Sequence, residues 1–288
     1  MPDVPHDLLH DLNADLHMHS TVSDGTLAPA ALVRRAAERG VQLLALTDHD
    51  EVGGLAEAQV AAYEQGIRFC PGVEISVSFA GQSVHIVGLG VDASNAELCA
   101  GLRSVRAGRR ERAQAMAAGL ATAGIDDAFA GALKYASNPE LISRTHFARF
   151  LVERGICGDL REVFTRFLTP GKPGYVEHPW ARLADAVGWI AAAGGVAVVA
   201  HPARYRLSPT ERWALFSEFK EAGGTAVEIA VAAHGADEVR HYAQVAREFG
   251  FEGSRGSDFH SPDEGGADLG KAPALPADIV PVWHRFAR

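Results

Sequence analysis

One stretch constrains this chain more than any other: Ala14-Asp15-Leu16-His17-Met18-His19-Ser20-Thr21-Val22-Ser23-Asp24-Gly25. In an extended segment, residues i and i+2 point to the same side. His17 and His19 can therefore face one metal ion, and the turn at Ser23-Asp24-Gly25 can return Asp24 towards a neighbouring ion. A single His-x-His carries little weight, because surface His pairs are common. Four later motifs give it weight: Thr47-Asp48-His49-Asp50, Gly72-Val73-Glu74, Ala200-His201-Pro202 and Ser257-Asp258-Phe259-His260. Each follows, or ends, a short apolar run that reads as a strand.

The intervening chain supplies the frame. Asp15-Leu16 begins the first strand, and residues 28–39 read as a helix with Pro29 in its first turn and Gly40 as its stop. Val41 to Thr47 is a second strand, residues 53–65 a helix, and Ile67 to Cys70 leads into Gly72-Val73-Glu74. From Glu74 the pattern alternates, turns at Ala80-Gly81-Gln82 and returns through His85, which predicts a hairpin. Residues 96–180 differ: they are predominantly helical and predict an inserted helical subdomain. A helix over 183–193 leads to the strand Val196 to Ala200. A helix near 209–222, the strand Ala226 to Val231 with Glu228, a helix over 235–249 and the strand Phe251 to Gly256 follow. Residues 1–13 and 271–288 read as tails, the first with His6 and His10 in a loose lead-in, the second with a possible short helix at its end.

About seven strand signals alternating with helices imply an α/β fold with a parallel sheet closed into a barrel. The barrel is expected to use residues 14–95 and 181–270. Every candidate ligand sits at or just after a strand's C-terminal end, where barrel enzymes build their sites.

Composition excludes several classes. The chain has 288 residues, 47% of them hydrophobic, enough for a substantial core. No run approaches the length of a membrane span and no signal-peptide pattern opens the chain, so no membrane partner is expected. Cys70, Cys99 and Cys157 are widely spaced and odd in number, which suits small buried residues in a reducing cytoplasm. The formal net charge of −9 argues against a duplex nucleic-acid partner. Oligomeric state is left open.

The nine candidates are His17, His19, Asp24, His49, Glu74, His85, His201, Asp258 and His260. Imidazole and carboxylate donors suit Zn, Mn or Fe, and the lack of thiolates argues against a structural zinc. Nine donors are too many for one ion, so two or three divalent ions are expected, with Glu74 as the natural bridge. Three such ions against three carboxylates would leave the site at about +3 within an acidic protein. Such a pocket attracts phosphate esters, and its ions lower the pKa of a bridging water to give hydroxide near neutral pH. His178, His234, His241 and His284 have no comparable setting and read as surface or structural residues.

These motifs together resemble the PHP (polymerase and histidinol phosphatase) superfamily over about residues 14–265. The stretches Ile142-Ser143-Arg144-Thr145-His146-Phe147-Ala148-Arg149 and Leu168-Thr169-Pro170-Gly171-Lys172-Pro173-Gly174-Tyr175-Val176 look closest to its 3',5'-nucleoside bisphosphate phosphatase branch. Members of that branch remove the 3'-phosphate from pAp-type nucleotides, and some trim short RNA from the 5' end. The resemblance implies a distorted seven-stranded barrel and manganese as the preferred ion. It implies His17, His19, Glu74 and Asp258 around one ion, Asp24, His49 and Glu74 around a second, and His85, His201 and His260 around a third.

The insertion should then cap the barrel mouth. Arg144 offers a planar fork that matches a phosphate bidentately, and Lys172 a second cation. Asn138 and Ser143 can donate hydrogen bonds, and Arg204 can reach the substrate from beside His201. The alternative for each is a solvated or helix-capping side chain. The Arg-rich helix near 103–112 reads as a solvated face. The expected activity is hydrolysis of the 3'-phosphate of a small anionic nucleotide. The rivals are 5'-to-3' exoribonuclease action on short single-stranded RNA, histidinol phosphatase, and a non-enzymatic polymerase-associated module.

Overall fold

Apolar strands and amphipathic helices alternate along the computed structural model, which describes residues 12–265 and 267–286. His6 and His10 lie outside the described residues. The strands are β1 (Ala14–Asp15), β2 (Leu43–Leu46), β3 (Arg68–Phe79), β4 (Gln82–Leu89), β5 (Val196–Val199), β6 (Ala226–Val231) and β7 (Glu252–Gly256). They form one sheet in sequence order. The sheet closes where the chain beyond β1 meets β7: Leu16 N donates to Arg255 O at 3.0 Å, and Asp258 N to His17 O at 2.8 Å. Gly256 permits that seam, because a Cβ there would lie 2.4 Å from the Cβ of His17.

The predicted hairpin is present, with β4 antiparallel to β3; the expected parallel sheet needs correction only where β4 also runs antiparallel to β5. Ala80 and Gly81 join β3 to β4 with φ values of 47° and 71°. A two-residue connection with positive φ at both positions is a hairpin turn, and a hairpin joins only antiparallel strands. The remaining neighbours are parallel.

Helices α1 (Pro29–Glu38) and α2 (Leu55–Gln65) pack outside the first strands. Pro29 opens α1, Leu32, Val33 and Ala36 form its buried stripe, and Gly40 follows at φ 76°. Helices α3 (Ala96–Arg106), α4 (Arg109–Thr122), α5 (Ala128–Leu133), α6 (Arg144–Glu153) and α7 (Leu160–Val163) lie between β4 and β5. The single Arg-rich helix expected near 103–112 is thus two helices, broken at Gly108, whose φ is 103°. Helices α8 (Leu183–Ala192), α9 (Pro209–Glu221) and α10 (Ala236–Phe249) complete the set. The C-terminal helix signal is a 3-10 turn at Val282–Arg285 that buries Val282 and Trp283.

The barrel strands share one large hydrophobic core, joined by Leu98 and Leu102 of α3 and Val187 and Ile190 of α8. A separate core is built from Ala113, Met116, Leu120, Phe147, Phe150, Leu151, Val163 and Leu168, all in the helical stretch. No described helix is long and apolar enough to cross a membrane.

Candidate metal centre

The chain just after β1 is held from both sides. Thr47 N donates to Met18 O at 3.0 Å and His19 N to Phe259 O at 2.9 Å. Met18 turns into the outer core, so His17 and His19, one residue either side, turn together to the barrel mouth. The Ser20–Gly25 loop is tied by Asp48, whose Oδ1 accepts from Ser20 N at 2.8 Å and Ser23 Oγ at 2.6 Å. Gly25 lies so near the His19 carbonyl that a Cβ would sit 2.2 Å from its oxygen, and this tight return delivers Asp24. Among the described residues, Asp50, His201 and Asp258 have φ of 52°, 27° and 53°. Such strain in non-glycine residues persists where surrounding contacts hold it, and it gathers at functional sites.

All nine sequence-predicted donors meet here. Glu74 is the hub. Its Oε1 lies 2.9 Å from His85 Nδ1, 2.9 Å from His201 Nε2 and 3.3 Å from His17 Nε2. Its Oε2 lies 2.8 Å from His49 Nδ1 and 3.3 Å from His19 Nε2. Asp258 Oδ1 lies 3.4 Å from His17 Nε2 and 3.2 Å from His19 Nε2, and the two Nε2 atoms are 3.1 Å apart. Donor atoms about 2.1 Å from one ion are separated by roughly 3.0–3.4 Å in tetrahedral to octahedral geometry. The spacing of this quartet therefore fits a cation better than a network of N–H donors. Buried Asp24 Oδ1 and Glu74 Oε2 also lack a well-aligned hydrogen-bond donor. Three groups are spaced to hold an ion: His17, His19 and Glu74; His19, Asp24, His49 and His260; and His49, Glu74 and His85.

The implied trio of His85, His201 and His260 is not what the structure brings together. His260 Nε2 sits 3.3 Å from Asp24 Oδ1, whereas His85 and His201 converge on Glu74 Oε1. The reason is topological: His260 follows β7, which abuts β1 and its Asp24 loop, while His85 and His201 sit on the neighbouring β4 and β5 side.

At the fully buried positions burial disfavours charge, and the outcome depends on the neighbours. At His17 the Glu228, Glu74 and Asp258 carboxylates outweigh burial and hold the pKa well above its usual value. At His49 Glu74 and Asp24 overcome it, raising the pKa to about 9. His19 is pushed down to about 3 by burial, then by His260 and His49. His201 falls to about 4, chiefly through burial. Glu74, Asp24 and Asp258 stay well below the usual carboxylate range despite burial, held by imidazoles and, at Asp258, first by Arg204.

Of the predicted substrate-binding residues, Ser143 and Arg204 touch the cluster. Ser143 Oγ donates to Asp24 Oδ2 at 3.1 Å, and the Arg204 guanidinium pairs with Asp258. Arg144 is close enough to interact electrostatically with Asp24 and Tyr175, and stacks on Phe164 with its guanidinium carbon 5.8 Å from the ring centre. Asn138 instead caps the 3-10 turn Pro139–Leu141, its Oδ1 accepting from Glu140 N at 3.0 Å. Lys172 is exposed in its loop. Neither contacts the cluster among the described hydrogen bonds and ion pairs.

Several participants escaped the sequence reading. Arg109 and Arg112, expected on a solvated face, are 5% and 8% exposed. Arg109 pairs with Asp50, and both guanidiniums stack on Trp180 at 4.6 and 5.2 Å. Tyr205 Oη accepts from His85 N at 2.9 Å and donates to Ala200 O at 2.8 Å, pinning the backbone at His85 and at the residue before His201. Glu228 lies 2.8 Å from His17 Nδ1. A carboxylate in the otherwise apolar run Ala226–Val231 was the available signal for it. His178 is half-buried beside Trp180, and His234 is a structural residue bonded to Ile229 O.

Comparison with known proteins agrees with this geometry. Residues 15–142 match the family model described as the PHP domain. The chain is 53% identical to a 3',5'-nucleoside bisphosphate phosphatase of Chromobacterium violaceum, covering 95% of this chain and 96% of that one. It is 42% identical to a 5'-3' exoribonuclease of Haemophilus influenzae, covering 94% and 98%. A solved structure described as an amidohydrolase from Chromobacterium violaceum, with bound sulfate and no metal, superposes with a TM-score of 0.92 at 52% identity over 95% of both chains. A Bifidobacterium adolescentis protein provisionally assigned as a metal-dependent phosphoesterase superposes at 0.78 with 26% identity, over 94% of this chain and 93% of that one.

Proposed function

The chain belongs to the PHP family, and from that premise we propose that it is a metal-dependent phosphatase removing the 3'-phosphate of 3',5'-nucleoside bisphosphates, as in pAp to AMP. One observation carries the reading: His17, His19, Glu74 and Asp258 present donor atoms 3.1–3.4 Å apart at the barrel mouth. We assign His17, His19, Asp24, His49, Glu74, His85, His201, Asp258 and His260 as ligands of three divalent ions, manganese by preference. When bound, such ions supply Lewis acidity and a low-pKa water for attack on phosphorus. The chain's part is to fix the donors, exclude bulk water and orient the ester.

Residues 96–180 are proposed as the cap over that mouth. Arg109, Arg112 and Arg144 gather there, and Arg112's charge is disfavoured by burial and by the other two guanidiniums. A second phosphate would relieve that repulsion, which favours a bisphosphate over a simple monoester. Ser143 and Arg204 can orient it; Asn138 and Lys172 are the weaker members of the proposed set. The three cysteines are free, which suits the proposed cytoplasmic location.

Release of inorganic phosphate from pAp should greatly exceed release from L-histidinol phosphate. Arg144→Ala should raise KM for pAp by about 10–100-fold, the loss of one charge-assisted phosphate contact. No phosphate from pAp with manganese, zinc or iron supplied would reject the assignment. The second reading, trimming of short 5'-phosphorylated RNA, is favoured by the Haemophilus influenzae relative. Mononucleotides appearing from such an oligomer would establish it.

A further inference from the structure

Glu228 approaches the cluster from behind, where no substrate can reach it. It is 1% exposed within β6, whose other residues are all apolar. Its two oxygens do different work. Oε1 lies 2.8 Å from His17 Nδ1, and Oε2 accepts the backbone N–H of His201 at 2.6 Å. An ionised carboxylate only accepts hydrogen bonds, so His17 Nδ1 turns a proton towards Glu228 and Nε2 is the ring nitrogen left to face a cation. That Nε2 is the atom 3.1 Å from His19 Nε2 and 3.3 Å from Glu74 Oε1. The other oxygen holds the backbone N–H of His201, whose φ is 27°.

We propose that Glu228 is a positioning residue: it presents His17 through Nε2 and holds the His201 backbone so that both imidazoles reach Glu74. The inference rests on the reading of the cluster as a divalent-ion site. A buried carboxylate behind a ligating imidazole orients the ring and raises its basicity, and its loss weakens metal binding by about 10–100-fold.

Glutamine keeps the size of Glu228 but has one acceptor and one donor end. It can satisfy either His17 Nδ1–H or His201 N–H, never both. Aspartate keeps both acceptors on a shorter arm. The test is equilibrium dialysis of the full chain against graded Mn(II), with metal per chain measured by mass spectrometry. Circular dichroism and metal-free melting of each variant are recorded alongside.

Glu228→Gln should retain the wild-type spectrum and bind manganese about 10–100-fold more weakly. Glu228→Asp should bind more tightly than Glu228→Gln. A role in filling space predicts the reverse order, because glutamine fills the volume better. That reverse order, or wild-type affinity in the glutamine variant, overturns the proposal. Zinc-loaded wild type gives a check independent of any variant: a long-range proton–nitrogen spectrum should show the His17 proton on Nδ1, and a proton on Nε2 overturns the proposal. If wild type binds no divalent ion at all, the reading of the site fails, and this inference with it.

Discussion

Glu74 shows what one residue can organise. Five imidazoles lie within 3.3 Å of its two oxygens, from His17, His19, His49, His85 and His201. They come from four separate segments, so the carboxylate is the point at which distant stretches of chain become one site. Its ionised form is favoured by those neighbours despite complete burial. Glu74→Gln replaces one acceptor oxygen by an amide donor and removes the negative charge, leaving imidazoles and any bound cations without their shared counter-ion. Bound metal per chain should fall, and kcat/KM should drop by at least about 10³-fold, roughly 4 kcal/mol of transition-state stabilisation. His85→Asn, at a rim position 18% exposed, should cost less on both measures. Metal analysis and phosphate release on both variants check the ordering, and equal losses would contradict it.

Among the elements, the N-terminus of α6 joins the helical stretch to the site. Ser143 Oγ accepts from Thr145 N at 3.2 Å while donating to Asp24, and Ser143 N donates to His146 Nδ1 at 3.0 Å. This reciprocal cap needs a neutral His146. Burial pushes its pKa down to about 4; Asp24 opposes it, and the Arg149, Arg109 and His49 charges act with burial. A folded pKa below the unfolded one means that the unfolded chain takes up the proton first as pH falls. The stability tied to neutral His146 is therefore complete above about pH 6.5 and is lost as pH falls towards 4, by at most about 1.4 kcal/mol per pH unit. His146→Gln keeps a capping side chain that does not titrate. Between pH 7 and pH 4.5, the urea midpoint of wild type should fall further than that of His146→Gln; parallel curves would remove His146 as the cause. The same elements show what was legible in the sequence. Most donors directly follow an apolar run, so local pattern located them and the alternation of elements, but Glu74 and His85 lie within β3 and β4 and not at their ends. Local pattern does not encode which strands become neighbours. Hence the pairing of His260 with Asp24, and of β4 with β5 as antiparallel neighbours, is visible only in the structure. Arg109 and Arg112 read as solvent-facing because their partners, Asp50 and Trp180, are distant in sequence.

At the scale of the whole molecule, two of the three hydrophobic cores divide the labour. One fills the barrel beneath the donors, and the other lies wholly within the helical stretch that presents Ser143 and Arg144. Polar ties link the two: Arg109 to Asp50, Ser143 to Asp24, and Arg149 in a two-pronged pair with Glu264. If metal chemistry belongs to the barrel and substrate selection to the proposed cap, the two can be damaged separately. Phe147 is fully buried in the helical core, one turn from Arg144. Phe147→Ala should cost about 3–5 kcal/mol where it packs, enough to loosen α6 locally. Amide hydrogen exchange should accelerate over α4 to α7 and stay slow in β3 to β6. Bound metal per chain should be unchanged. Turnover of pAp should fall through a higher KM, whereas a small aryl phosphate monoester with no second phosphate should be hydrolysed at nearly the wild-type kcat/KM. The control is Ile75→Ala, which opens a comparable hole in the barrel core beside Glu74 and should lower metal content and both activities together. Loss of metal in Phe147→Ala, or equal loss on the two substrates, would mean that the two cores act as one unit and that the cap does not select substrate independently of the metal site.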